Sequence, residues 1–337
     1  MSSLLSVTAG ILSYNRCEDL QRTLTAVLAV PDMRVLLIDN ASTDGTREML
    51  TGEFGIDTHP TTLLTGCAPR AIDAPSPLPF RPSVLYPRMT CLLLEHNTGI
   101  AARNILFERV GTPYLLTLDD DSWPRGTDDV LRLLQTMESD RRIASVCAAC
   151  VHPATGVAET AGIERFASGG DAARGYDVVN IAAGGSLLRM SAVRCTEGYG
   201  EEFFWGREEN DLAFQLLLCG YRIVYDPQAV VWHALSPVGR RQYERLRYVT
   251  RNSLWLLWKY FPLVVALPVS LLFSLRRLLA VIKDWRRAVP VLRGIVAGYG
   301  GIAARRRRDT PLPGRPARFP LRESLHLRGW FTKLLYE

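Results

Sequence analysis

The run Tyr114-Leu-Leu-Thr-Leu118 ends on three consecutive aspartates, Asp119, Asp120 and Asp121, and a turn at Ser122-Trp-Pro124 follows. This juxtaposition constrains the fold more than any other feature of the chain. A short, almost unbroken apolar run reads as a strand buried on both faces, as in parallel sheets. Its carboxylates then stand at the strand's C-terminal tip, where open α/β sheets bind ligands. Three adjacent negative charges repel one another, and a cation between them relieves the repulsion. Oxygen ligands of this hardness favour Mg²⁺ or Mn²⁺, ions that commonly also hold the phosphates of a nucleotide. Read alone, the triplet is also compatible with a solvated acidic turn.

The surroundings favour the sheet. Residues 5–13 read as a strand, 17–30 as a helix, 34–38 as a strand and 46–54 as a short helix. A third strand is expected over 90–94, a helix over 100–110, the aspartate-bearing strand over 114–118 and a helix over 128–140. Such alternation predicts a parallel α/β sheet, doubly wound in the manner of a Rossmann fold. Residues 57–88 interrupt it with seven prolines, too many for a helix or central strand, so an inserted loop is expected there. Further strands are expected over 143–151 and 182–189, a helix over 210–219 stopped by Gly220, and short strands over 223–225 and 229–232.

Charge divides the 337 residues unequally. Residues 1–233 carry 19 basic and 29 acidic side chains, a net of −10, whereas residues 234–337 carry 21 and 5, a net of +16. An acidic, metal-binding body over 1–235 followed by a basic, apolar helical region over 236–337 is therefore expected, the latter meeting something anionic. Residues 260–275 form a 16-residue uncharged run containing Pro262 and Pro268. A spanning helix needs about 20 apolar residues, and extending the run toward Asn252 would bury Lys259. Trp255, Trp258, Tyr260 and Trp285 flank it, and Arg276, Arg277, Lys283, Arg286, Arg287 and Arg305 to Arg308 follow. Helices lying in the interface of an anionic membrane fit this pattern. Nucleic acid does not, because the basic segment is rich in Leu and Val and has no nucleic-acid-binding motif.

The seven cysteines have no framework spacing, and Cys147-Ala-Ala-Cys150 lies inside an apolar run. Buried free thiols in a reducing compartment are expected. The N-terminus runs straight into strand-like sequence, so the body is expected in the cytoplasm, with the basic tail bringing it to the inner face of the membrane.

Four polar loops carry the chemistry. They are Leu36-Leu-Ile-Asp39-Asn40-Ala-Ser42-Thr-Asp44-Gly45-Thr46, Glu95-His-Asn97-Thr-Gly99-Ile-Ala-Ala-Arg103-Asn104, Leu118-Asp-Asp-Asp121 and Phe203-Phe-Trp-Gly-Arg-Glu208-Glu209-Asn-Asp211-Leu212. In order and spacing they resemble the inverting GT-A glycosyltransferases of family 2, from about residue 5 to residue 251, with a rhamnosyltransferase-like character. The resemblance implies a GT-A fold, Mg²⁺ or Mn²⁺ as cofactor, and transfer of a sugar from a UDP- or dTDP-sugar to a lipid-linked or polysaccharide acceptor. A galactofuranosyl- or hexosyltransferase of the same fold, or a nucleotide-sugar-binding protein without catalysis, remains open, as does self-association into a homo-oligomer.

Residue by residue, Asp39, Asn40 and Asp44 fall on the nucleoside side, where Asp39 is placed to accept hydrogen bonds from base or ribose and Asp44 to close its loop. Asn97 and Gly99 open a helix whose N–H groups suit phosphate, and Arg103 suits either Asp39, Asp119 or the diphosphate. The resemblance gives Asp119 to the ribose and Asp121 to the metal, leaves Asp120 the least involved of the donor-binding residues, and lets His233 complete the metal shell. It places the catalytic base at Glu209, where the family carries Asp, with Asp211 the second candidate. Gly184, Gly185 and Trp205 fall on the acceptor side, and Arg251-Asn252 resembles a family pair at the start of the C-terminal helices.

Overall fold

The structure, a computed structural model, describes residues 3–57, 81–159, 167, 169–173, 175–182, 184–235, 242–303, 316–327, 330–331 and 334. Its first half runs β1 (Val7–Ser13), α1 (Cys17–Leu28), β2 (Arg34–Asp39), α2 (Thr46–Phe54), β3 (Arg81–Pro82), β4 (Met89–Leu93), α3 (Ala102–Arg109), β5 (Tyr114–Asp119), β6 (Ser122–Pro124) and α4 (Thr127–Ser139). There follow β7 (Ile143–Val151), β8 (Gly169–Asp171), β9 (Gly175–Val178), β10 (Ser186–Arg189), the one-turn α5 (Met190–Val193), α6 (Glu208–Leu218) and β11 (Arg222–His233). The tail contributes α7 (Gln242–Tyr260), α8 (Leu263–Lys283), α9 (Ala288–Gly300) and a short helix Leu321–His326.

All eleven strands among the described residues join one sheet, in the order β3-β4-β2-β1-β5-β10-β7-β11-β9-β8, with β6 paired to β11. The block β4-β2-β1-β5 is parallel. β10 then enters antiparallel to both β5 and β7, and β11 runs parallel to β7, so the sheet is mixed. Because strand side chains alternate between faces, each strand feeds two cores. Leu116 and Leu118 of β5 pack with Leu24 of α1, Leu50 of α2 and Leu133 of α4. Leu115 turns the other way, to Leu106 of α3 and Leu216 of α6.

Three elements differ from the sequence expectation. The turn expected at 122–124 is a strand, because its backbone pairs with β11. The two short strands expected over 223–232 are one strand, with a register shift between Asp226 and Val230. Pro227 lies in that irregularity, where it withdraws no ladder donor. The hairpin β8–β9, in which β8 is glycine-rich and exposed, had no apolar alternation to announce it. Of the proline-rich insertion, residues 58–80 lie outside the described residues, but its end pairs Arg81 and Pro82 with β4.

The tail shares a core with the α/β body. Phe214 of α6 lies edge-on to Tyr260, Phe261, Phe319 and Trp330, with ring centroids 5.0 to 5.6 Å apart. α8 is the opposite of a water-soluble helix: only Ala266, Ser270, Phe273 and Ser274 are buried, while Leu267, Leu271, Leu275 and Ile282 are exposed.

Candidate active site

The strand β5 delivers the aspartates, and the β6–β11 ladder brings their partner. His233 lies opposite Ser122 in that ladder, and the Ala234 N–H donates to the Asp121 carbonyl at 2.9 Å. Ligand atoms of Asp119, Asp121 and His233 consequently lie within 4.8 Å of one another. His233 Nε2 is 3.1 Å from Asp121 Oδ1, and Nδ1 is 2.8 Å from Glu159 Oε1. Burial opposes a charged imidazole, but hydrogen bonds to Asp121 and Glu159 outweigh it and hold His233 up at about 10. Two carboxylates and one imidazole converging in this way fit a hard to borderline divalent cation.

The three aspartates have different surroundings. Asp119 is the most accessible, its side chain 29% exposed, and pairs with Arg103. Asp120 is buried, accepts from the Tyr14 N–H at 3.2 Å and from Arg16 at 3.0 Å, and so ties the loop after β1 to the tip of β5. Burial, with Arg16 opposing it and the neighbouring aspartates adding to it, pushes its carboxyl up to about 7. Asp121 takes the second bond from Arg16, at 2.9 Å. Gly184 lies against the cluster: a Cβ there would stand 2.8 Å from Asp119 Oδ2 and 3.0 Å from Ser122 Oγ.

Several expected donor-binding residues are engaged in building loops. Asp39 is fully buried, accepts from the Ser42 N–H and pairs with Arg47 at 3.1 Å. Burial outweighs those bonds and raises its proton affinity. Asp44 accepts from the N–H groups of Cys17 and Thr46, capping two helices at once. Asn40 donates to Asn97 Oδ1 and the Gly99 carbonyl and accepts from the Thr98 N–H, stitching the loop after β2 to the loop after β4. The N–H groups expected to face phosphate here are occupied, Gly99 by Asn97 Oδ1 and Ile100 by the Phe204 carbonyl. Arg103 sits behind Asp119, where it also donates to the Leu118 carbonyl.

The Phe204 contact joins the donor loops to the start of α6. Gly99 has φ +64°, and a Cβ on it would meet the Phe204 ring at 2.7 Å. Phe204 and Arg207 themselves have positive φ, 57° and 74°, a conformation that bulky residues keep only when held. α7 holds them: Asn252 Nδ2 donates to the carbonyls of Phe203, Trp205 and Gly206, and Arg251 donates to those of Glu202 and Phe203. Glu208 is buried and Glu209 partly exposed. Burial raises the proton affinity of both; for Glu209, Arg103 opposes the shift and Asp119 adds to it. Asp211 is fully buried and accepts from Lys259, Tyr260 and Gln215 at 2.7 to 3.0 Å. It is committed to that network, which leaves Glu209 as the candidate base. Arg16, Arg47 and Glu159 escaped the sequence reading. Only Arg16 carried a signal, its place in the loop straight after the first strand.

The model of the family described as "Glycosyl transferase family 2" matches residues 8–59 and 80–196. No curated protein matches the chain. Among solved structures, the mannosyltransferase PcManGT from Pyrobaculum calidifontis, in complex with GDP-Man and Mn²⁺, is similar at a TM-score of 0.53 and 13% identity, over 98% of this chain and 84% of that one. TarS of S. aureus is similar at 0.48 and 13% identity, over 74% of this chain and 39% of that one. With four motif loops assembled at one end of a mixed α/β sheet and half the chain matched, the protein belongs to glycosyl transferase family 2 and is a glycosyltransferase of GT-A fold.

Proposed function

We propose that the enzyme transfers a sugar, with inversion, from a UDP- or dTDP-sugar to a lipid-linked or polysaccharide acceptor at the cytoplasmic face of the inner membrane, in the assembly of a cell-surface glycan. A rhamnosyl donor is our first choice and a galactofuranosyl or other hexosyl donor the second. The carrying observation is the convergence of Asp119, Asp121 and His233, with Arg103 behind them and Glu209 within electrostatic reach of Asp119 and Arg103.

Asp121, His233 and the outer oxygen of Asp119 are the residues to hold Mg²⁺ or Mn²⁺, and the imidazole in the set favours Mn²⁺. Such an ion, when bound, supplies positive charge where the departing nucleoside diphosphate gathers negative charge. Arg103 holds the Asp119 carboxylate in place through an ion pair, and Arg16 holds that of Asp121. Glu209 takes the proton of the acceptor hydroxyl as its oxygen attacks the anomeric carbon. Its raised proton affinity suits it to that task, because a base works best with a pKa near the working pH.

The membrane placement is supported by α8. It is long and apolar enough to cross a membrane by length and composition. Yet Arg276 and Arg277 lie in its second half, and Lys259 on the preceding helix is paired inside the protein with Asp211. A helix lying flat lets those arginines meet anionic headgroups while Leu271, Leu275 and Ile282 enter the acyl boundary.

Glu209→Gln tests the chemistry. Transfer should fall by about 10²- to 10⁴-fold, while UDP still raises the melting temperature in the presence of Mn²⁺. Undiminished transfer would remove Glu209 from the mechanism. Donor binding without transfer by the unaltered protein, across a panel of nucleotide sugars, would favour a binding protein instead.

A further inference from the structure

We propose that Glu159 is a positioning residue, fixing which nitrogen His233 turns toward a divalent cation; the inference rests on the metal-site reading above. The fold brings Glu159 to this place by its own route. β7 runs beside β11, with Val151 in register with Trp232. Past Val151 the chain reverses through a turn in which Gly156 adopts φ +67°, and it returns antiparallel: Val151 bridges Ala158, and the Glu159 N–H donates to the Cys150 carbonyl at 2.9 Å. The return leg therefore ends beside the last residue of β11, and Glu159 Oε1 lies 2.8 Å from His233 Nδ1.

The chemistry of the pair is directional. An ionised carboxylate only accepts, so Nδ1 carries the proton it donates. Nε2, 3.1 Å from Asp121 Oδ1, faces the aspartates, and its own hydrogen bond to that carboxylate is the one a cation would displace. A histidine that binds a metal needs this arrangement, since the hydrogen bond at one nitrogen sets the tautomer and ring orientation for the other. His233 is little exposed, its side chain 13% accessible, and it is gripped from both sides, whereas the Glu159 side chain is 31% exposed. Glu159 thus acts on the cation through His233 and packs into no core of its own.

Mn²⁺ binding to the full-length protein, measured by electron paramagnetic resonance of the free ion without nucleotide, tests the proposal in Glu159→Ala, Glu159→Gln and His233→Ala. Glu159→Ala should weaken Mn²⁺ binding by about 10- to 100-fold. Glu159→Gln should recover most of it, because its amide oxygen still accepts from Nδ1–H. Both Glu159 variants should melt near the parent temperature, the hairpin being exposed, and circular dichroism should show that His233→Ala is folded. In transfer assays, Glu159→Ala should raise the Mn²⁺ concentration for half-maximal rate more than it lowers the rate at saturating Mn²⁺. If Glu159→Ala binds Mn²⁺ like the parent while His233→Ala does not, the role of Glu159 is overturned and the metal site stands. If His233→Ala also binds like the parent, the metal-site reading itself falls. A Glu159→Gln variant as weak as Glu159→Ala overturns the hydrogen-bond argument.

Discussion

At the scale of single residues, the space around Asp119 is filled from Gly184. A methyl group at Gly184 would push against the Asp119 carboxylate and the Ser122 hydroxyl. Gly184→Ala should therefore lower Mn²⁺ affinity and transfer rate by about tenfold, equivalent to about 1.4 kcal/mol, with circular dichroism unchanged; a parent-like rate would show that Asp119 has room to move. Glu209 makes a prediction in pH. Its raised affinity means that it takes up a proton at higher pH than an ordinary glutamate, so activity is present above its raised pKa and lost as pH falls through it. The acid limb of kcat/KM should have its midpoint above 4.5, and a limb at or below that value would assign it to another group. The aspartate triplet and His233 were legible because each ends an apolar strand. Arg47 and Glu159 were not, and Arg16 only by its place after the first strand, because a lone charged residue finds its partner only through the fold. Asp39, read as a ligand contact from its place after a strand, also holds its own loop together through Ser42 and Arg47.

Among elements, the junction of α6 and α7 is the most informative. Asp211 on α6 accepts from Lys259 and Tyr260 at the end of α7; Asp211 and Tyr260 are buried and Lys259 is largely so. Removing one member of such a buried pair strands the other. Asp211→Ala should lower stability by about 3–5 kcal/mol, and Asp211→Leu combined with Lys259→Met should regain much of it, as measured by urea denaturation. A loss of transfer in Asp211→Ala without loss of stability would return Asp211 to the list of bases. The parallel half of the sheet was readable from continuous apolar runs, since strands buried on both faces must be apolar throughout. The antiparallel additions were harder. β6 is three residues long and is held by its ladder to β11 rather than by any propensity of Ser-Trp-Pro, while β8 begins with two glycines and lies exposed.

Over the whole molecule, the body and the tail are joined through one core, since α6 and the tail share the aromatic cluster around Phe214. The acidic body and basic tail were visible in the sequence as charge, but their common core was not, because Phe214, Phe319 and Trp330 are too far apart in the chain to form a pattern. Replacing Leu271, Leu275 and Ile282 by serine should reduce binding to vesicles containing anionic phospholipid while leaving Mn²⁺ affinity intact. Binding by the parent should weaken as salt rises, because the arginine contribution is screened. Equal vesicle binding by parent and variant would move the anchor elsewhere. Ending the chain after Arg251 would instead strip the cover from Phe203 and Phe214, so that truncation reports on folding rather than on membranes. The ladder between residues 122–124 and 231–233 also bears on how the protein is made. A ribosome that has just delivered the aspartates has delivered only part of a cation site, and the imidazole arrives more than a hundred residues later. Nascent chains interrupted before β11 carry the acidic triplet without the imidazole, and Arg16 of the loop after β1 is then the counter-ion at hand.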